Sequence, residues 1–206
     1  MNVRLSRRWK IFISFGLVFA LVAIIGVFSL PTLLIASLPT DAAQLPATDV
    51  IIHWATGPHS ESDQWVAELY RQGKAKQILC VSTPVSWEVY AADFARQHLI
   101  SLGIPAENVL SLHLELEPCS APNAKQVAAY AKAQGWHSAL VVTGVITAGS
   151  RLEKYFHQEG VTLARTYSPQ DRDELTRSWW REHWKIQYLI GSAVEILLDS
   201  MYAECR

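Results

Sequence analysis

Five short apolar runs, four of them entered just after a glycine that closes a helix-like segment, constrain the fold of this 206-residue chain more than any other feature. Val50 to Trp54 (VIIHW) comes first. Gln77 to Ser82 follows Gly73, Val109 to Leu112 follows Gly103, Ala139 to Val142 follows Gly135, and Val161 to Tyr167 follows Gly160. Continuous apolar runs of this length are the pattern of strands covered on both faces, as in a parallel sheet; only the last alternates. Between them lie helical patterns. One is capped by Ser60 or Ser62 and runs to Gln72 with Trp65, Val66, Leu69 and Tyr70 on its apolar face. A second spans about Ser86 to Leu102. The third starts at Ser120, a natural N-cap with Pro122 in the first turn, and carries Val127, Tyr130, Ala131 and Ala133. The fourth is Arg151 to Glu159. Strands alternating with helices in this way predict an α/β domain: a three-layer, Rossmann-like fold with a mainly parallel sheet of about five strands and right-handed crossovers. The pattern leaves the strand order open.

A run of different character precedes this domain. No charged residue occurs from Ile11 to Thr40. Ile11 to Leu30 alone makes about 30 Å of helix at about 1.5 Å per residue, the thickness of a bilayer's hydrocarbon core. A secretory leader also has a basic start and an apolar centre, but that centre is typically about 7–15 residues and ends at a small-residue cleavage site. Thr40-Asp41-Ala42 is a poor one. Arg4, Arg7, Arg8 and Lys10 all precede the run, which keeps the N-terminus in the cytoplasm, and Trp9 suits the headgroup interface. The expected organisation is a basic cytoplasmic tail (1–10), one N-terminal transmembrane helix (11–37), a linker (38–48) and an α/β domain (49–206). That describes a single-pass protein of the cytoplasmic (inner) membrane, in contact with the lipid bilayer through Ile11 to Leu30, with its domain in the periplasm or otherwise outside.

Charge and cysteine content narrow the function further. Four of the 18 Lys and Arg residues belong to the tail, leaving 14 against 19 Asp and Glu in the exported part. A net acidic domain argues against nucleic-acid binding. Cys80 sits in a strand-like run and reads as a small core residue, while Cys119 and Cys205 are free to pair or not. His53, His59, His98, His113, His137, His157 and His183 show neither HxH nor HExxH spacing, so no metal site is expected. No G-x-S-x-G, P-loop or G-x-G-x-x-G occurs, which disfavours α/β-hydrolase, nucleotide-triphosphatase and dinucleotide chemistry; no cofactor is implied. Trp179, Trp180 and Trp184 either pack the last helix, about Lys185 to Tyr202, onto the sheet or dock on a membrane or glycan.

The stretch Ser138 to Phe156 (SALVVTGVITAGSRLEKYF) reads as strand, small-residue loop and helix. Open α/β sheets build ligand sites this way, because the loop lies at the carboxyl end of the strand where helix N–H groups point outward.

Several phrases resemble the YdcF-like family, a family of domains of unknown function. They are LYRQGKAKQILCVS (Leu69 to Ser82), LGIPAENVL (Leu102 to Leu110), Ser120-Ala121-Pro122-Asn123-Ala124, Leu140 to Arg151 followed by Phe156, and the closing SWWREHW and GSAVEILLDSMY with Glu195. The resemblance runs in order from about Asp49 to Tyr202. With one N-terminal anchor, the layout looks most like the SanA and ElyC branch, which implies a role in cell-wall or envelope-polysaccharide assembly. Carried across residue by residue, it implies ligand contacts at Gly57, Glu88, Ser120, Asn123, Thr143 and Arg151. The family's first arginine would fall near Ser62 or Asp63 and is missing. Its histidine would fall at Thr147 or Ala148, in a loop one residue longer than the family's, and is also absent.

The residues themselves support this reading and leave duller ones open. Thr143, Ser120 and Asn123 offer short hydrogen-bond groups, and Arg151 adds a cation near a helix N-terminus, a set suited to a phosphate or carboxylate. Equally, Ser120 can be only a cap, Asn123 can bond loop backbone, Thr143 can end a strand, Glu88 can favour a helix's first turn, and Arg151 can pair with Asp171 or Asp173. General acid–base chemistry near neutral pH is most often done by histidine, so its loss weighs against catalysis; Glu88 and His59 remain as candidates. The expected function is binding of an anionic small molecule or lipid-linked sugar at the envelope. The alternatives are a non-catalytic interaction protein at the membrane and a hydrolase or transferase acting on phosphorylated or lipid-linked sugars.

Overall fold

The computed structural model describes residues 39–55, 61–115, 120–143 and 148–176, with single positions near both ends of the chain. Its centre is a sheet of five parallel strands: β1 (Val50–Trp54), β2 (Gln77–Ser82), β5 (Val109–His113), β6 (Ser138–Thr143) and β7 (Thr162–Thr166). The spatial order is β5-β2-β1-β6-β7. The chain thus winds outward from β1 in one direction, returns, and winds outward in the other. Helices α1 (Glu61–Arg71) and α2 (Ala91–Ser101) serve the first half; α3 (Ser120–Ala133) and α4 (Ala148–Gln158) serve the second, and α5 (Pro169–Thr176) follows β7. The expected α/β, Rossmann-like class with five parallel strands is what the chain adopts.

The continuous apolar runs have the predicted reason. Alternate residues of each strand enter two separate cores. Ile51, Ile78, Cys80, Leu140 and Val142 pack against Trp65, Val66 and Leu69 of α1 and Ala92, Ala95 and Leu99 of α2. Val50, Ile52, Leu79, Val81, Ala139 and Val141 pack against Ala124, Val127 and Ala128 of α3 and Leu152, Tyr155 and Phe156 of α4. Each helix supplies a narrow stripe at three- and four-residue spacing, which is why charged segments such as RLEKYF still bury one side. The first four helices all end as their glycines predict. At Gly103 (φ 91°), for example, the Gly103 N–H reaches Ile100 O and the Ile104 N–H reaches Leu99 O, the paired bonds of a left-handed helix stop.

One expected boundary is corrected. The segment from Ser86 does not begin a helix. Pro84–Ser86 (β3) and Val89–Tyr90 (β4) form a small antiparallel hairpin, and α2 starts only at Ala91. Val85 and Val89 are β-branched, Pro84 disfavours helical backbone in the residue before it, and Glu88 takes the turn at φ 33°. The helix N-terminus is instead capped from a distance, by buried Ser82 Oγ accepting the Ala92 N–H at 3.0 Å.

Residues 39–48, expected as a linker, lie along the domain. Thr166 Oγ1 donates to Pro39 O at 2.7 Å, Ala42 and Leu45 are buried, and Lys74 Nζ donates to Leu45 O at 2.6 Å. Most of the apolar run Ile11 to Ser37 falls outside the described residues, as do most of the closing helix, Cys119, Cys205 and the three tryptophans; among those described, no helix is long and apolar enough to cross a membrane.

At the amino end of the sheet, Asp49 joins the two central strands. Its carboxylate accepts the His137 N–H at 2.8 Å, the Ser138 N–H at 2.9 Å and the Ser138 hydroxyl at 3.0 Å. The bond from the His137 amide leads in holding this carboxyl below its ordinary value. Because the folded state favours the charged form, the stabilisation is complete above the unfolded value and is lost as pH falls through the lowered folded one. Asp49→Asn is expected to flatten the acid limb of a stability–pH curve below about pH 4, the ordinary carboxylate range. Equal acid sensitivity in urea unfolding of both proteins would contradict this role.

Candidate functional site

In an open parallel sheet, ligands bind beyond the carboxyl ends of the strands where the winding reverses. Here the reversal lies between β1 and β6, which pair directly from Val50↔Ala139 to Trp54↔Thr143. The connections leaving that point are residues 56–60 after β1 and 144–147 after β6, each leading into the first turn of a helix. Thr143 is the last residue of β6, and Arg151 stands in the first turn of α4. The topology therefore brings these two predicted residues to the same side of the crevice. The side chains of Thr143, Ser120 and Arg151 lie outside the described residues, as do Gly57 and His59 entirely.

The other predicted residues are spread more widely. Ser120 opens α3 and Asn123 is buried in its first turn, on the face of the sheet covered by α3 and α4. Glu88 sits fully out on the hairpin turn beyond β2, where its backbone conformation is part of the turn. A groove of about 380 Å³ lined by Glu153, His157, Gly160, Val161, Thr162 and Leu163 lies at the opposite, amino end of β7. It shares no residue with the predicted set.

Immediately beneath the crevice is an arrangement that motif reading overlooked. His53 is the one imidazole in the central strand, and it is fully buried. Its Nε2 meets Asp63 Oδ1 at 2.6 Å, and the second oxygen of Asp63 meets His98 Nδ1 of α2 at 2.7 Å. Asp63 is also fully buried; His98 is 18% exposed at its side chain. A carboxylate only accepts, so both rings present N–H groups to it. His53 Nδ1 is buried without a partner, which selects the tautomer with the proton on Nε2, since a bare acceptor is tolerated more readily than an orphaned N–H.

This trio closes the base of the first loop. His53 precedes residues 56–60 and Asp63 follows them, so their bond pins both ends of the segment containing Gly57 and His59, while His98 ties it to α2. Ser62 and Asp63 are both buried, and each oxygen of Asp63 meets a histidine. Cys80, the cross-strand partner of His53, is equally sealed; burial, reinforced by the Asp63 charge, pushes its thiol well above the ordinary range, so it is no nucleophile.

The signal for the trio was visible. VIIHW places one polar residue within an otherwise apolar run, and a buried polar group needs a partner. Which residue would supply it depended on how α1 packs. No family model matches this chain, and comparison with curated proteins gives no match. No group of three or more metal-binding side chains occurs among the described residues. Chemically, the trio is a positioning element: it ties α1 and α2 to the carboxyl half of β1.

Asp63→Asn keeps the shape but offers an amide N–H₂ where one histidine donates. We expect a loss of about 1–3 kcal/mol, the penalty of a buried polar group left unpaired, measured by urea unfolding of the full chain in detergent. His98→Ala should cost less, since water can reach that side of the carboxylate. The reverse order would contradict the assignment of Asp63 as the hub.

Proposed function

We propose that this chain is a membrane-anchored envelope protein of the YdcF-like kind, whose external domain binds an anionic envelope metabolite in the crevice between β1 and β6. The observation that carries the reading is the strand order. It puts the winding reversal where the Gly57 loop and the Thr143–Arg151 loop leave the sheet. Two helix N-terminal turns, those of α1 and α4, begin there. The partial positive charge of a helix N-terminus favours an anion, and Arg151 adds a full cation to the second.

The anchor draws on the uncharged run. Its three described residues, Val18, Val22 and Gly26, are helical at i, i+4 and i+8, and Val18 and Val22 are each 61% exposed, as lipid-facing positions would be. The basic tail then leaves the domain outside the cytoplasm.

Binding is favoured over catalysis by what surrounds the crevice. The histidine nearest the end of β1, His53, is sealed below the surface and committed to Asp63. Glu88 serves a hairpin turn rather than a helix start, and the loop after β6 has no histidine. Ser120, Asn123, Thr143 and Gly57 supply hydrogen-bond groups, none of them a general base. A cell-wall or lipid-linked sugar phosphate fits this description: charged at one end, with hydroxyls to match.

A charge-assisted contact is worth about 1.5–3 kcal/mol, so Arg151→Ala should weaken binding of a polyprenyl phosphate to the full chain in detergent by roughly tenfold to a hundredfold. Isothermal titration gives the answer. Unchanged affinity would remove Arg151 from the site, and no binding of any phosphate-bearing lipid or sugar by the unmodified chain would overturn the reading itself.

A further inference from the structure

The chain enters the domain at the carboxyl end of the sheet. Thr166, the last residue of β7, donates to Pro39 O at 2.7 Å, and Arg172 of α5 donates to Thr40 Oγ1 at 2.8 Å. The uncharged run therefore arrives at that end. The eight residues between Leu30 and Pro39 reach no more than about 28 Å when extended.

At the same end, on the other side of the sheet, stands the β3–β4 hairpin. Trp87 at its turn is 94% exposed, with Val85 at 54%, Val89 at 41% and Phe94 of α2 at 39%. Its base is fastened to the domain. The Tyr90 ring stacks on His113 with centroids 3.9 Å apart, and His113 bonds to Asp93 at 2.9 Å. The fold thus leaves an indole uncovered at the tip of a hairpin whose base is fastened. With strands about 4.8 Å apart, the two edges of a five-stranded sheet are separated by about 19 Å. Chain entry lies toward the β7 edge and the hairpin toward the β5 edge, with the crevice between them.

We propose that the hairpin seats Trp87 in the headgroup layer of the bilayer that Ile11 to Leu30 spans, so that the carboxyl end of the sheet faces the membrane. The inference rests on the anchor proposed above. An indole, with an apolar body and one N–H, suits that layer. From Pro84 to Phe94 the charged residues are Glu88 and Asp93, both acidic, so the contact proposed is apolar and does not depend on anionic lipid. A crevice held this way opens on the headgroups, which favours a lipid-linked anion over a freely soluble one.

The test uses the full chain reconstituted in phosphatidylcholine vesicles, carrying a photocrosslinker as Trp87→benzoylphenylalanine or, at the amino end of the sheet, as Glu107→benzoylphenylalanine. Mass spectrometry should find lipid adducts at position 87 at least tenfold more abundant than at 107, unchanged at high salt. Comparable yields at the two positions, or adducts at 87 only with protein, would overturn the orientation. Alkaline carbonate extraction separates the two readings. Release of the chain from the vesicles would sink the anchor, whereas retention without lipid adducts at 87 would sink the hairpin contact alone.

Discussion

The central strand sets the terms for the rest of the molecule. β1 is hydrogen-bonded to β2 on one side and β6 on the other, and helices cover both its faces. Nothing in Val50–His53 reaches water. Every side chain there must be apolar or be paired inside the protein, because an unpaired buried polar group costs about 1–3 kcal/mol. Four of the five residues are apolar or aromatic; the fifth, His53, is paired. That pairing ties α1 to the strand through Asp63, and α2 to α1 through His98.

The same strand order makes the crevice. A sheet that wound in one direction only would spread its loops along an edge. By returning to the middle after β5, the chain puts α3 and α4 on the second face and sends the connections after β1 and β6 to opposite faces beyond the carboxyl ends of two paired strands. Of the residues implied by the resemblance, Gly57, Thr143 and Arg151 fall on the pair of connections that the topology singles out, while Glu88, Ser120 and Asn123 lie on others. Neither the resemblance nor the topology requires a catalytic group, and the imidazole of β1 itself, His53, is paired with Asp63. Binding by helix N-termini, short hydroxyls and one arginine is the simplest chemistry such a crevice supports.

Much of the fold could be read in the sequence because two strong local signals agreed. Continuous apolar runs such as QILCVS declare burial on both faces, and glycines such as Gly103 declare where helices stop. What escaped were features decided by contacts distant in sequence. The hairpin at Pro84–Tyr90 looked helical because SWEVYAADF carries helix formers, but the β-branched valines and the turn at Glu88 prevail until Ala91. Strand order depends on which edge the long crossover through α3 returns to, and the apolar pattern is the same either way. In the candidate site, Thr143 and Arg151 were reached through the resemblance, within a stretch whose strand-loop-helix pattern already suited a ligand site. The Asp63 link was not, because His53 and Asp63 meet only once α1 has folded back over β1.

The account's central claim is that the β1–β6 reversal holds the ligand. Hydrogen exchange of the full chain in detergent, with and without a polyprenyl phosphate, tests this most directly. Protection concentrated in peptides covering residues 54–62 and 143–152 is the predicted result. Protection confined to the amino-end groove between α4 and β7, or to the β3–β4 hairpin alone, would contradict it.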